Sequence, residues 1–513
     1  MQQSNHMSSD SRRIAKNSAV LYARMLLSMA VSLYTSRVVL EVLGVDDYGL
    51  YSVTGGVVAM FAFINGSMSG ATSRFLTYEM GLGNAERLRD TFNSALLVHI
   101  GVAAIILVFA ETIGLWFLNC KLSIPEESMT AANWVYQFSI VASLVTITQV
   151  PYNACIIAHE NMNVYAYIEI ANVLMKLGIV YLLVVIGGNK LIIYGILVLV
   201  VNIIVASLYR IYCLRKFSES HFRYVFDKSI LKPMLSFSGW DLYGNMCVTA
   251  RTQGIVMLIN VFFGVAVNAA ASIATTVFST LSSFASNIIM AFRPQIIKQY
   301  AAGESEEFNK LLMNCIKFSG TLFLILAAPL IAEAGYILNL WLKNTPEYSV
   351  SFCSICLAAT FVIVLNYSIA IGIHATGKVK AISVISGTFY LLMLPAAWIM
   401  LRHDMAPQVV FYAMTVSNII IYISNIIILK RQAPVFDAWH ASRISIATAL
   451  IFGAATAAAM IPSAFMDTGF LRLLVSISFS TTLTWLLFWF FMLDSSSRKT
   501  MKTSIKKKLK IHN

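Results

Sequence analysis

The chain has 513 residues, 58% of them hydrophobic and only 12% charged, with 37 Lys and Arg against 24 Asp and Glu for a formal charge of +13. Charged residues make up near a quarter of a soluble domain, so this composition excludes a water-soluble globular fold and makes membrane helices the fold itself. The basic excess needs no nucleic acid, because Arg12, Arg13 and Lys16 before the first apolar run and the residues from Arg215 to Lys232 lie where membrane topology puts basic residues.

Residues 1–16 are polar, and the first apolar run is long enough to stay as a span instead of being cleaved as a signal peptide. Stretches of about 20 apolar residues predict fourteen transmembrane helices, at about 17–39, 49–71, 92–118, 132–157, 164–186, 191–213, 235–262, 266–292, 312–333, 351–373, 381–401, 408–429, 443–463 and 470–492. The fold class is therefore all-α and polytopic. An N-lobe of helices 1 to 6 (17–213) is followed by a basic linker (214–234) and a C-lobe of helices 7 to 12 (235–429). A second linker (430–442) leads to helices 13 and 14 (443–492) and a basic tail (493–513). An even number of spans puts both ends on one side, and about 27 Lys and Arg flank that side against about 6 on the other, so both termini are expected in the cytoplasm. In the tail, Arg498, Lys499, Lys502, Lys506, Lys507, Lys508 and Lys510 alternate with Met501, Ile505 and Leu509 at helical spacing, a pattern suited to an anionic inner leaflet.

Helices 1 to 6 and 7 to 12 read as copies. Leu21, Tyr22 and Met25 recur as Leu242, Tyr243 and Met246, and Gly44-Val45 as Gly264-Val265. GLGNAERL from Gly81 lines up with AAGESEEF from Ala301, and Tyr152 and His159 with Tyr367 and His374. Four weak matches in one order at a nearly constant offset indicate a duplication, and an even number of helices per copy makes the repeat parallel, with two lobes and a substrate path between them. Helices 13 and 14 fall outside the repeat, and nothing in the sequence places them. Pro151, Pro329, Pro395 and Pro462 are candidate bend points, with ordinary packing kinks as the alternative.

An ionisable side chain at mid-membrane costs roughly 2.5–3.5 kcal/mol on insertion scales, so each should face a cavity or a partner. Arg24, Lys176 and Arg251 are the deep cations, and Glu169 and Asp241 the deep anions. Arg37 and Glu41, four apart near an outer helix end, read as a structural pair at the rim. Asp241 and Arg24 occupy near-equivalent depths and could form a cytoplasmic gate or a permanent structural pair. His99, His159 and His374 are possible proton carriers, although the last two sit at helix ends, where histidine commonly satisfies terminal carbonyls. Three deep cations against two deep anions make the path electropositive and suited to an anionic substrate. Seven cysteines give no disulfide framework, and Cys353 and Cys356, a CxxC opening an apolar helix, read as a packing face and not a zinc site. No metal cluster, cofactor motif, catalytic nucleophile with a base, or phosphate-cradling glycine loop is visible, which argues against an enzyme.

LYTSRVVLEVLGVDDYGLYSV within residues 13–56, the following ATSRFLTYEMG, and AHENMNVYAY at the joint of helices 4 and 5 resemble the bacterial Wzx-type polysaccharide flippases. These belong to the multidrug/oligosaccharidyl-lipid/polysaccharide (MOP) exporter superfamily. The resemblance implies a MATE-like fold of two six-helix lobes, here with two added C-terminal helices. It implies an alternating-access transporter in the inner membrane that flips a polyprenyl-pyrophosphate-linked oligosaccharide for O-antigen or capsule synthesis, alongside a polysaccharide polymerase and chain-length machinery. Arg24, Arg37, Asp47 and Arg74 fall in the matched stretches; Arg24 is the candidate diphosphate cation with Lys176 and Arg251 as helpers, whereas Asp47 reads equally as a cap of helix 2. Asp241, Glu169 and His99 are candidates for gating or coupling, and the coupling ion, H+ or Na+, cannot be chosen from the residues. A cation antiporter of the same superfamily would want an acid deep in helix 1 or 2, where none lies. A lipid II flippase fits the helix count and charge equally well, and only the motif argues against it. A polymerase or ligase would need chemistry in an outer loop, and the largest, about 333–350, offers little.

Overall fold

The computed structural model describes residues 17–31, 34–35, 38–39, 42–43, 62–120, 126–342, 345–493 and 498. Among these the chain is helical, with no strand. Helix α1 (Asn17–Val31) and α2 (Ala62–Leu82) are described parts of the first two expected spans. Twelve helices that are long and apolar enough to cross a membrane follow: α3 (Ala85–Cys120), α4 (Glu126–Ala158), α5 (Met162–Val185), α6 (Lys190–Lys216), α7 (Lys228–Gly264), α8 (Ala270–Ala301), α9 (Ser305–Ala332), α10 (Ser349–Thr376), α11 (Lys380–Arg402), α12 (Val409–Gln432), α13 (Ala438–Ala464) and α14 (Phe470–Met492). Arg37, Glu41, Gly44, Asp47 and the tail beyond Arg498 lie outside the described residues.

Local chemistry sets the boundaries. Asn84, Asn189, Asp227 and Asp437 each precede a helix and accept a hydrogen bond from an amide of its first turn, satisfying a donor that the helix leaves open. Gly264 (φ +76°) breaks the helix between α7 and α8, and Gly377 (φ +76°) turns the chain from α10 into α11. The helices outrun the apolar stretches: α8 reaches Ala301, past the expected end near 292. A π-helical turn at Ala110–Gly114 interrupts α3, and the Tyr136 hydroxyl of α4 donates to the Ala110 carbonyl at 2.8 Å, satisfying an acceptor within a span.

The outer stretch 333–350, expected as a loop, holds a nine-residue helix, Ala334–Leu342, that continues from α9 after Glu333. Its apolar sequence, AGYILNLWL, supports helix instead of an open loop.

The chain forms two compact units. One comprises Met1–Met246 with Ile297–Gly303, and the other Cys247–Ile296 with Glu304–Asn513. The core of the first joins α2 to α6 through Leu76, Phe92, Tyr152, Ile179 and Tyr209. Here Gly81 of α2 meets the end of α8: a Cβ on Gly81 would lie 2.8 Å from the Ala301 Cβ and 2.8 Å from the Lys298 carbonyl oxygen. Gly81 and Ala301 are the positions that the repeat aligns with each other.

The core of the second unit joins α7, α8, α10, α11 and α12 through Ile259, Ala270, Phe352, Met393 and Phe411, and Cys353 and Cys356 are free thiols buried within it. Helices α13 and α14 pack on α9. A Cβ on Gly320 of α9 would come 2.9 Å from Thr448 of α13, and Phe318 meets Phe488 of α14 at 5.7 Å between ring centroids. Glu333 is 1% exposed and accepts from Arg472 at 2.6 Å and from Ser476 at 3.0 Å, tying the end of α9 to α14.

Candidate functional site

In the first unit, α1 and α5 bring Arg24 over the Tyr165 ring, with the guanidinium carbon 4.9 Å from the centroid. Tyr165 lies within electrostatic reach of Glu169, one turn further along α5. Glu169 accepts from the Tyr209 hydroxyl of α6 at 2.9 Å. Arg24, Tyr165, Glu169 and Tyr209 therefore make one polar network in which a carboxylate stands near the cation.

Lys176 is half-buried on α5, two turns beyond Glu169, with no ion pair among the described residues. Asp241 accepts from Asn245, four residues on, at 3.3 Å; the contacts of Arg24 run to Tyr165 and not to Asp241. His99 is fully buried on α3, with Nδ1 2.7 Å from the Ala95 carbonyl and no hydrogen-bond partner for Nε2 among the described residues. His374 lies in the last turn of α10.

In the second unit, α7 places Arg251 over the Tyr390 ring of α11, with the guanidinium carbon 4.4 Å from the centroid. Arg251 is 3% exposed, its Nε and Nη1 have no hydrogen-bond partner, and no carboxylate pairs with it among the described residues. A buried guanidinium left in this state costs several kcal/mol unless an anion or water compensates it.

Glu160 and Lys317 carry no signal in the sequence, and Arg74 and His159 stand out there without their partners. Glu160, 1% exposed at its side chain, sits in the turn after α4 with φ +59° and binds Lys298 of α8 at 2.8 Å. Arg74 is 6% exposed, stacked on Phe75 and Tyr78 at 4.7 and 4.6 Å. Lys317 lies buried on α9 beside a cavity of about 200 Å³ lined also by Lys310 and His440. His159 approaches Glu219 at 2.5 Å and stacks on Phe217. Burial alone would raise the Glu219 carboxyl, but hydrogen bonds from His159, its own amide and Cys155 prevail and hold it below its ordinary value.

No protein-family model matches the chain. A curated relative is the uncharacterized membrane protein EpsK of Bacillus subtilis (strain 168), 20% identical over 327 residues. The match spans 63% of this chain and 64% of that protein. Among solved structures, a MATE protein in the bent conformation superposes with a TM-score of 0.71 at 13% identity, covering 86% of this chain and 97% of the other. An outward-facing multidrug resistance MATE family transporter of the MOP superfamily gives 0.71 at 12% identity over 85% and 96%. A point variant of the Vibrio cholerae MATE transporter VcmN gives 0.68 at 14% identity over 84% and 99%. The chain is a multi-pass membrane protein with the MATE transporter fold, and none of these similar proteins is named as an enzyme.

Proposed function

We propose that the chain is a flippase that carries a polyprenyl-pyrophosphate-linked oligosaccharide across the bacterial inner membrane by alternating access. The observation that carries this reading is Arg251, a guanidinium buried in a membrane-spanning helix with two nitrogens unpartnered and no carboxylate at hand among the described residues. Such a group stabilises an anion and repels a cationic drug, and a diphosphate matches its forked donors while the polyprenyl tail stays in lipid. Arg24 and Lys176 supply further positive charge on α1 and α5. The resemblance around residues 13–56 supports a sugar-lipid cargo, working with a polymerase and chain-length machinery. Glu169, held by Tyr209, is the group we assign to respond to the coupling ion, H+ or Na+.

The same Glu169 favours a second reading, a cation antiporter, because it puts an acid inside the first unit. Deleting the gene in its native host and analysing both surface polysaccharide and lipid-linked intermediates separates the two. Loss of polymer with repeat units trapped on the inner face establishes the flippase and identifies its cargo. Normal polymer with altered drug sensitivity establishes the antiporter.

A further inference from the structure

The last turn of α4 and the short 3-10 turn Ser218–Ser220 after α6 bring together three side chains that neither assigned function uses. The Cys155 thiol, the His159 Nε2 and a Glu219 carboxylate oxygen all lie within 4.8 Å of one another. Cys155 and His159 are four residues apart, so they project from one face of the helix end. Cys155 Sγ is 3.7 Å and His159 Nε2 2.5 Å from Glu219 Oε1. A second thiol, Cys213 at the end of α6, donates to the Tyr152 carbonyl at 3.4 Å and is not one of these three donors. The set thus has two donors from the end of α4, Cys155-x3-His159, and one, Glu219, from the turn after α6.

The surroundings suit a cation better than a hydrogen-bonded cap. Glu219 is 6% exposed, yet among the described residues neither Lys nor Arg meets it, and a single imidazole is its one basic neighbour. The imidazole is fixed by stacking on Phe217, ring centroids 3.9 Å apart at 11°, which aims Nε2 at the cluster. His159 remains a quarter exposed, so an ion has a way in, whereas Cys155 at 1% is sealed.

We infer that Cys155, His159 and Glu219 form a three-donor binding site, with solvent as the fourth ligand, for a divalent d-block cation of the zinc class that staples the ends of α4 and α6. Thiolate, imidazole and carboxylate together are a borderline donor set that selects zinc over magnesium or calcium. Ligands about 2.0–2.3 Å from a tetrahedral ion stand roughly 3.3–3.8 Å apart, so the donors need shifts of about 1 Å to enclose one. Binding displaces the Cys155 thiol proton to solvent and moves the proton between His159 Nε2 and Glu219 to Nδ1 or to solvent, so that Nε2 and the carboxylate both face the ion with free lone pairs. The site is separate from Arg24 and Arg251 and does not depend on the cargo.

The test uses the full chain purified in detergent under reducing conditions, loaded with Zn2+ alone and desalted. We expect close to one zinc per chain by elemental analysis and, on substitution with Co2+, a thiolate-to-metal charge-transfer band. Cys155→Ser and His159→Gln should each weaken zinc binding at least about tenfold, and the Cys120→Ser control should leave it unchanged. If Cys155→Ser does not fold, Glu219→Gln, nearly isosteric, gives the same readout. Zinc absent above buffer, or retained equally by all variants, reduces the cluster to hydrogen bonds and overturns the site.

Discussion

Each unit stacks an arginine on a tyrosine, from α1 and α5 in the first and from α7 and α11 in the second, and the two arrangements differ in what stands beside the pair. In the first unit Arg24 shares Tyr165 with Glu169, and Tyr209 holds that acid. In the second, Arg251 has Tyr390 and no carboxylate among the described residues, and it is the more deeply buried of the two. A cation with an acid in its network and one without do different work: the first is partly offset by that acid, whereas the second is a standing demand for an anion. Arg251→Ala is therefore the most damaging change expected. Removing one partner of a buried charge pair costs about 2–5 kcal/mol, roughly thirtyfold to several thousandfold in binding, so surface polymer should vanish with the protein still in the membrane. Arg251→Lys should restore less than half of it, because a point charge reproduces neither the fork nor the stacking. Normal polymer in Arg251→Ala cells would dissolve the contrast between the units.

The second unit also carries α13 and α14, which the repeat lacks in its first copy. Glu333 fastens them, since its carboxylate takes Arg472 and Ser476 together. Glu333→Ala strands Arg472 in a buried site and should cost about 3–5 kcal/mol, read as a lower unfolding temperature in detergent. Replacing both partners with apolar residues of similar volume should recover most of that loss. If the single variant melts like the parent, the added helices are held by apolar packing alone.

Gly81 tests a close contact within the first unit. The two aligned positions, Gly81 and Ala301, meet each other, and a Cβ at Gly81 would collide with Lys298 backbone, which cannot swing aside as a side chain would. Gly81→Ala should destabilise the protein by about 1–3 kcal/mol, visible in thermal unfolding, whereas Gly83→Asn, at a left-handed turn with open space, should cost less. Equal effects at both positions would make the contact at Ala301 energetically irrelevant.

The twelve spans from α3 onward were legible in the sequence because hydropathy over twenty residues is a strong local signal, and the MATE-like fold was what the family resemblance implied. What escaped was pairing. Glu160 with Lys298 and Glu333 with Arg472 join residues nearly 140 apart, and no periodicity announces such a partner. Lys317 hid near the start of an apolar run. The cluster of Cys155, His159 and Glu219 left only a Cys-x3-His spacing, whose other half waits beyond two more helices. The chain's deep cations were visible as charges in apolar stretches, but which of them had an acid beside it depended on helix rotation, and one residue of error in a helix phase turns a side chain by 100°.

Glu169→Gln makes the smallest and most discriminating change, because it converts the first unit to the condition of the second. Glutamine keeps an acceptor for the Tyr209 hydroxyl and nearly the same volume, so folding should be unaffected while the negative charge near Arg24 disappears. A partly screened charge is worth about 0.5–1 kcal/mol, so purified protein should bind a polyprenyl diphosphate about two- to fivefold more tightly. Tighter binding at the start of the cycle slows release at its end, and polymer output should fall by a similar factor despite the higher affinity. In an Arg24→Ala background the same substitution should change neither quantity, since no cation remains for the acid to mask. An identical gain in both backgrounds would mean that Glu169 acts on the diphosphate directly and that Arg24 is already as free as Arg251.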